Sequence, residues 1–242
     1  MFRRNSLYSL IFKKPIRMNA NVDNLTPLSF TTEQVKGRNA LLTKVLLPKD
    51  HILKNIVYKY NANNEILDIE NKETLFQGKL NCFSLVIQDP KLIGKINKSF
   101  SNTGDLLRVT GHPCIVNDEH TNFKKVLFSP HIKDIEDLSE GFQKFLREEQ
   151  IITDSNVNVF KPHVLSFDYS YWSAQEVIST IIPSILKEKN DEIVDDSIES
   201  PVSYSVTGDI AHLNLRSQFN DARFLIGRII IDKLPGLNKI VN

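Results

Sequence analysis

The stretch SYSVTGDIAHLNLR, residues 203–216, holds two short runs of alternating side chains on either side of a turn. In the first run Tyr204 and Val206 alternate with serines, and Thr207–Asp209 has the composition of a tight turn. The second run places Ala211, Leu213 and Leu215 on one face and His212, Asn214 and Arg216 on the other. The pattern predicts a β-hairpin with one face against a core.

The polar face of the second run is the candidate binding site. The side chains of His212, Asn214 and Arg216 are expected about 6–7 Å apart along the strand. Such a row offers hydrogen-bond donors to phosphates or base edges, and arginine suits bidentate contacts. The solvated outer face of an ordinary sheet has the same pattern, so both interpretations stay open.

A helix precedes the hairpin. It begins around Tyr171, and Ser173 and Glu176 have the spacing of a capping box. Pro183 lacks a backbone donor and is expected to end or kink this helix. The charged stretch 187–200, with six acidic and two basic residues, predicts a solvated loop.

A second helix follows the hairpin from about Asp221. Lys233 lies near its end, and Pro235 with Gly236 stops it. Lys239–Val241 then has the composition of a further strand.

The region before residue 160 predicts short strands and two helices. The candidate strands are Leu41–Leu47, Asn55–Tyr60, Leu80–Ile87 and Leu106–Thr110. Residues 91–100 predict a short helix, and residues 132–149 have the apolar spacing of an amphipathic one. The polar run 153–158, followed by Pro162, predicts a domain boundary.

The composition is that of a globular protein, with 242 residues, 41% apolar and 9% aromatic residues. It excludes a disordered tail, a collagen-like chain and a membrane bundle. The net charge of +1 hides an asymmetry, because residues 1–22 carry five basic and no acidic residues. The remainder has 25 basic and 29 acidic residues, a net charge of −4.

The basic N-terminal segment has the composition of a mitochondrial targeting sequence. Its cations are Arg3, Arg4, Lys13, Lys14 and Arg17, interspersed with serines and apolar residues. A frayed basic terminus is the alternative. Initiation at Met18 would give a second product without most of this segment, so we expect a matrix form and a cytoplasmic or nuclear form.

Motifs for self-sufficient catalysis are missing from the sequence. The two cysteines, Cys82 and Cys114, form no close pair, and the six histidines form no metalloprotease-type pair. The sequence has no P-loop, no glycine-rich strand-to-helix turn and no GxSxG elbow. It therefore assigns no catalytic, cofactor-binding or metal-binding residue.

Aromatic residues cluster just before the helix that begins around Tyr171. Phe167, Tyr169, Tyr171 and Trp172 lie beside His163 and Asp168. They can stack on nucleic-acid bases, but their alternation before a helix is more typical of core residues.

Residues 203–242 closely resemble the eukaryotic and archaeal tRNA (guanine-N1)-methyltransferases, which methylate the guanosine at tRNA position 37. The family's Gly–x–Ile–Ala–His–Leu–Asn–Leu–Arg strand is matched from Gly208 to Arg216. Its Ile–Gly–x–x–Ile–x–Asp–Lys helix is matched from Ile226 to Lys233. Residues 167–183 look like the family's Asp–Tyr–x–x–Trp helix start.

The resemblance implies an α+β fold of small mixed domains. We expect a targeting segment at 1–22, a tRNA-recognition domain at 23–160 and a middle domain at 161–242. The family's C-terminal Rossmann-like methyltransferase domain and its S-adenosylmethionine site are expected to be absent from these residues, so that the chain alone is inactive. The implied partner is tRNA, with no membrane and no metal, and a monomer is expected.

The expected function is the tRNA-recognition half of an S-adenosylmethionine-dependent methylation of N1 of guanosine 37, in cytoplasmic and mitochondrial tRNAs. Two alternatives remain open. One is the related wybutosine-pathway tRNA transferase, and the other is a catalytically empty tRNA-binding protein.

Overall fold

The structure, a computed structural model, describes residues 28–37, 41–153, 160–190 and 203–241. The predicted targeting segment and the acidic residues 191–200 lie outside the described residues. The strands are β1 (Leu28–Ser29), β2 (Thr31–Lys36), β3 (Leu41–Leu46), β4 (Tyr58–Tyr60), β5 (Ile66–Ile69), β6 (Gly78–Ile87), β7 (Ile115–Asn117), β8 (Lys124–Leu127), β9 (Phe160–Phe167), β10 (Tyr204–Thr207), β11 (Ile210–Leu213) and β12 (Lys239–Val241). The helices are α1 (Lys49–Asn55), α2 (Lys72–Leu75), α3 (Pro90–Ser99), α4 (Glu140–Glu148), α5 (Ala174–Asn190) and α6 (Arg223–Lys233).

β6 is the central strand of a five-stranded sheet. β9 pairs antiparallel along its length, while β1 and β8 pair with its two ends and β7 extends the sheet beyond β8. β2 with β3 and β4 with β5 form two-stranded antiparallel sheets. β10, β11 and β12 form a separate three-stranded sheet, in which β12 runs parallel to β11.

Two hydrophobic cores lie on opposite faces of β6. Leu80 and Cys82 belong to the first core, which also takes up residues of α5 and α6. Leu85 and Ile87, of the other parity, belong to the second core with α3 and α4. Side chains alternate across a strand, so one ten-residue strand serves both cores.

The predicted hairpin is confirmed. β10 and β11 pair antiparallel across a turn in which Gly208 adopts a φ of +63°, a left-handed conformation that glycine accepts without steric cost. Ala211 and Leu213 are buried in the first core, while His212 is exposed. The predicted end of the helix that follows the hairpin is also confirmed, because α6 stops at Lys233.

Two predictions before residue 160 are wrong in part. Leu106–Thr110 is not a strand, since only Leu106 forms a bridge, with Phe128. Leu106 is buried in the second core and Leu107 in the first. Successive side chains of this segment therefore point to opposite sides, as they do in a strand, although no strand is formed. Asn55–Tyr60 begins as the end of α1, and only Tyr58–Tyr60 is a strand.

The helix predicted over residues 132–149 is interrupted. A 3-10 turn covers Ile135–Asp137, and α4 starts only at Glu140. The break falls at Ser139, whose N–H and hydroxyl both donate to the buried carboxylate of Asp105. The predicted apolar spacing is nevertheless confirmed, because the second core contains Ile132, Ile135, Leu138, Phe142 and Leu146, with Phe145 packed against it.

Pro183 does not end the helix that contains it. α5 continues to Asn190, so residues 187–190 are helical and not a loop. A proline inside a helix costs about 3 kcal/mol. Burial of a large aliphatic side chain stabilises by about 1.5–3 kcal/mol, so Ile185 and Leu186, both buried beyond the proline, offset that cost.

The predicted mixed α+β class is confirmed, with several small sheets and helices packed on them. The predicted domain boundary at residue 160 stays a prediction; β9, which starts at Phe160, pairs with β6. The expected absence of a methyltransferase domain also stays a prediction. No helix among the described residues is long and apolar enough to cross a membrane.

Candidate nucleic-acid interface

The three-stranded sheet has a polar side that faces away from the core. Pairing places Ser205 opposite His212, and His212 opposite Val241. The side chains on this side are those of Ser205, Thr207, Ile210, His212, Lys239 and Val241, and we call them the outer face. The other side of the sheet, with Ala211, Leu213 and Ile240, packs on the first core.

The outer face carries side chains of types that are common in phosphate-binding sites. It has two hydroxyls, an imidazole and the ammonium group of Lys239, all on exposed residues. None of its six residues is acidic. The nearby Asp209 of the turn is bound to its own chain, since its side chain accepts from Asn238 Nδ2 at 3.2 Å. Serine, threonine and lysine side chains make many of the contacts that proteins form with nucleic-acid backbones.

Of the three predicted site residues, the strand pairing places His212 on this face. His212 is on β11, and Asn214 follows the strand, where its N–H donates to the Ser203 carbonyl at 3.1 Å. Arg216 is exposed but directly precedes a 3-10 turn over Ser217–Ala222. The prediction of one strand running to Arg216 is therefore wrong beyond Leu213, because the chain turns there to bury Phe219.

Lys239 was missed as a site residue. It joins the outer face because β12 pairs parallel with β11 and places Lys239 opposite Ile210. Nothing local in the sequence indicates this pairing, which links residues on either side of α6. Ser205 and Thr207 had a local signal, since they alternate with Tyr204 and Val206.

Four charged side chains form a closed ring between α6 and the β5–α2 segment. Lys72 Nζ lies 2.5 Å from Asp232 Oδ2 and 3.3 Å from Asp68 Oδ1. Arg228 Nε lies 3.1 Å from Asp232 Oδ1 and 3.7 Å from Asp68 Oδ2. This charge ring, Asp68–Lys72–Asp232–Arg228, joins β5 and α2 to α6.

Tyr169 lies against the charge ring. Its hydroxyl is 3.5 Å from Asp232 Oδ2, and its backbone carbonyl accepts a hydrogen bond from Lys233 Nζ. Lys233 Nζ also lies 3.4 Å from the centre of the Tyr169 ring. Burial lowers the pKa of Lys233 to about 8, and burial together with Asp232 raises the pKa of Tyr169.

The aromatic cluster is mostly part of the core, as the sequence favours. Phe167, Tyr169 and Trp172 are buried in the first core, where Phe167 and Trp172 pack edge-on against Phe30. Only Tyr171 is partly exposed. These rings are therefore not arranged as a base-stacking surface.

The cysteines are not arranged as nucleophiles. Burial raises the pKa of Cys82 to about 11 and also raises that of Cys114, so both thiols stay protonated. His163 lies opposite Cys82 across two strands, and burial lowers its pKa. Within the described ranges, no group of three or more histidine, cysteine or acidic side chains is placed to hold a metal ion.

One surface cleft among the described residues does not fit S-adenosylmethionine. A surface cleft of about 770 Å³ lies between α1 and α5, lined by Lys44–His51, Glu176, Ser179 and Thr180. It has no phenylalanine, tyrosine or tryptophan side chain and no glycine-rich turn, and Lys44 and Glu176 already bind Glu33 and Ser173. No step of a reaction is therefore assigned to a cofactor here.

Comparison with known proteins gives a consistent result. The chain is 29% identical to a protein of Candida albicans over 174 residues, which cover 72% of this chain and 34% of that protein. It is 29% identical to a protein of Saccharomyces cerevisiae over 215 residues, which cover 77% of this chain and 39% of that protein. It is 30% identical to a protein of Yarrowia lipolytica over 172 residues, which cover 69% of this chain and 31% of that protein. No family profile and no solved structure matches the chain.

All three relatives are RNA-modifying enzymes by name, and specifically tRNA methyltransferases. The chain is similar to these tRNA (guanine(37)-N(1))-methyltransferases over most of its length, which confirms the resemblance found in residues 167–242. The matched parts make up 31–39% of these three relatives, so the chain spans about a third of their length.

Proposed function

We propose that this chain binds tRNA through the outer face and serves as the recognition part of a methyltransferase that modifies guanosine 37. The observation that carries the proposal is the composition of the outer face. It has two hydroxyls, His212 and Lys239 and no acidic residue, and the exposed Asn214 and Arg216 follow β11 along the chain. The other side of the sheet is packed on the core through Ala211 and Leu213, which suits a surface that positions an RNA.

The chemistry of such a surface is electrostatic. Lysine and arginine side chains that neutralise phosphates release bound counterions, so affinity falls as salt concentration rises. Arginine adds a bidentate fork for phosphate oxygens, and hydroxyl and amide groups fix the register. The contacts position the RNA and carry little sequence information.

The names of the relatives support methyl transfer as the reaction of the whole enzyme. S-adenosylmethionine is the methyl donor that we propose for it, and cytosolic and mitochondrial tRNAs are the proposed substrates. In this proposal the described residues bind and orient tRNA, while the methyl transfer takes place elsewhere. We expect the 242 residues alone to incorporate no methyl group from labelled S-adenosylmethionine into tRNA. Incorporation would contradict this assignment.

The binding proposal is tested by titrating the chain with a tRNA transcript that carries guanosine at position 37, over a range of salt concentrations. Arg216→Ala and Lys239→Ala should each weaken binding and lower the salt slope by about one. Lys144→Ala is the matched control, because Lys144 is an exposed lysine on α4 that faces Glu148. Unchanged slopes for Arg216→Ala and Lys239→Ala would contradict the proposal.

We further propose that residues 1–22 direct import into mitochondria and that a product starting at Met18 stays outside. The support is the run of five basic residues without an acidic one. A reporter fused to residues 1–22 should enter mitochondria, and a reporter fused from Met18 onwards should not. A cytosolic location of the first reporter would contradict the proposal.

A further inference from the structure

The charge ring contains Asp232 of the helix motif and contacts Tyr169 of the Asp–Tyr–x–x–Trp motif. Asp232 and Lys233 end the helix motif, and Tyr169 belongs to the Asp–Tyr–x–x–Trp motif. Lys233 Nζ donates to the Tyr169 carbonyl, and the Tyr169 hydroxyl reaches Asp232. Residues that are more than 60 positions apart in sequence therefore meet at one place.

The partners of this contact come from the N-terminal half of the chain. Lys72 of α2 lies 2.5 Å from Asp232, and Asp68 of β5 closes the ring through Arg228. Glu65, just before β5, adds a 2.7 Å ion pair with Arg223 at the start of α6. α6 is thus fixed along its length to the β4–β5 unit.

α6 also supports the outer face. It packs against β12, and a Cβ atom added at Gly227 would meet the side chain of Ile240 of β12 at 3.8 Å. β12 in turn pairs with β11, which carries His212. A displacement of α6 relative to β5 would therefore move Lys239 relative to the N-terminal half.

We propose that Asp232 and Lys72 are positioning residues, which hold the outer face in a fixed orientation to the β4–β5 unit so that both halves of the chain can meet one tRNA. The inference rests on the proposed function, because its main readout is tRNA binding. It gives the pair of Asp232 and Lys72 a mechanical role and not a contact with RNA.

Direct contact of this pair with RNA is disfavoured by its surroundings. The side chain of Asp232 is 12% exposed and that of Lys72 is 16% exposed. Asp232 and Asp68 are carboxylates, which repel phosphate. Lys233 is held at the Tyr169 carbonyl and over its ring.

Asp232→Asn separates this proposal from simple electrostatics. The variant removes one negative charge, so electrostatics alone predicts tighter binding of tRNA. The positioning role predicts the opposite, a loss of about threefold or more in affinity. The salt slope should stay at the wild-type value, since no phosphate contact is lost. Lys72→Gln should lose a similar factor, Lys72→Arg should retain the wild-type affinity, and the double variant should lose little more than either single one.

Glu148→Gln serves as the control for a lost carboxylate. Glu148 is exposed on α4 and pairs only weakly with Lys144, at 3.7 Å. The tRNA affinity of the Glu148→Gln variant should therefore not fall. All affinities are measured well below the midpoint of thermal unfolding, so that loss of folded protein does not enter. A tighter or unchanged affinity in Asp232→Asn would overturn the proposal, and so would a reduced salt slope.

Backbone hydrogen exchange separates failure of this inference from failure of the proposed function. If the ring positions the sheet, Asp232→Asn should speed exchange of the β11 amides without tRNA present. Unchanged exchange there would overturn the positioning role whether or not the wild-type chain binds tRNA. Absence of tRNA binding by the wild-type chain, with faster exchange in the variant, would overturn the proposed function and support the positioning role.

Discussion

Gly78 shows how closely a single position is determined. It lies at the start of β6, where β1 and β9 pair on its two sides. A Cβ atom at this position would overlap the ring of Phe30 and approach the Leu28 carbonyl oxygen to 2.8 Å. Phe30 cannot easily move, because Phe167 and Trp172 pack edge-on against it.

We therefore expect Gly78→Ala to lower the free energy of unfolding by about 1–3 kcal/mol, the usual cost of overpacking a core. Gly94→Ala is the matched control. Gly94 is in α3, and a Cβ there would meet no atom within 4 Å apart from its own chain neighbours and helix backbone. This control should raise stability by about 0.5–1 kcal/mol, because alanine favours a helix interior. Urea unfolding of both variants gives the comparison, and equal stabilities would contradict it.

Asp118 links stability to pH. Its carboxylate accepts from Lys125 and Thr121, which lowers its pKa from the ordinary 3.8 to about 2. The folded pKa lies below the unfolded one, so the stabilisation is fully present above about pH 4. It is lost as the pH falls toward 2.

Asp118→Asn should remove this pH-dependent stabilisation. The difference in thermal midpoint between wild type and variant should be constant from pH 5 to 7 and should shrink below pH 4. Thermal unfolding followed by circular dichroism across that range measures it. A difference that keeps its full size down to pH 2.5 would show that the Lys125 contact does not stabilise the fold.

At the scale of elements, Asp105 decides where α4 begins. Its buried carboxylate accepts from the Ser139 N–H at 2.9 Å and from the Ser139 hydroxyl at 2.6 Å. Asp105→Ala leaves both donors without this acceptor, and a buried donor without a partner costs about 1–3 kcal/mol.

We expect the free energy of unfolding of Asp105→Ala to fall by about that amount in urea titrations, with increased hydrogen exchange in the first turn of α4. Glu148→Gln, on the exposed side of the same helix, should change stability by no more than about 0.5 kcal/mol. A similar small change in Asp105→Ala would mean that Ser139 finds other acceptors.

Local patterns predicted the elements whose causes are local. The β10–β11 hairpin followed from alternation and a glycine turn, and the Ser173–Glu176 capping box was predicted from spacing and is formed at 2.9 and 3.2 Å. The interruption at Ser139 was not predictable, because its cause, Asp105, lies 34 residues earlier. The continuation of α5 past Pro183 depends on tertiary burial of Ile185 and Leu186, which spacing alone does not weigh.

At the scale of the molecule, the organisation depends on contacts between distant parts of the chain. Alternate side chains of β6 point into two different cores. β9, which pairs with β6, lies about 80 positions later in the sequence. The charge ring joins Lys72 to Asp232 over 160 positions. Sequence patterns could identify His212, Asn214 and Arg216 as candidates. They could not place Lys239 beside them or assign Asp232 to a structural contact.

The central claim is that the outer face meets tRNA, and lysine footprinting tests it most directly. The 242-residue chain is acetylated with and without a tRNA transcript that carries guanosine 37, and the modified lysines are read by mass spectrometry. We predict that Lys239 becomes protected when tRNA is bound, while Lys144 on α4 reacts equally in both states. Equal reactivity of Lys239 with and without tRNA, together with protection of lysines elsewhere on the chain, would contradict the claim.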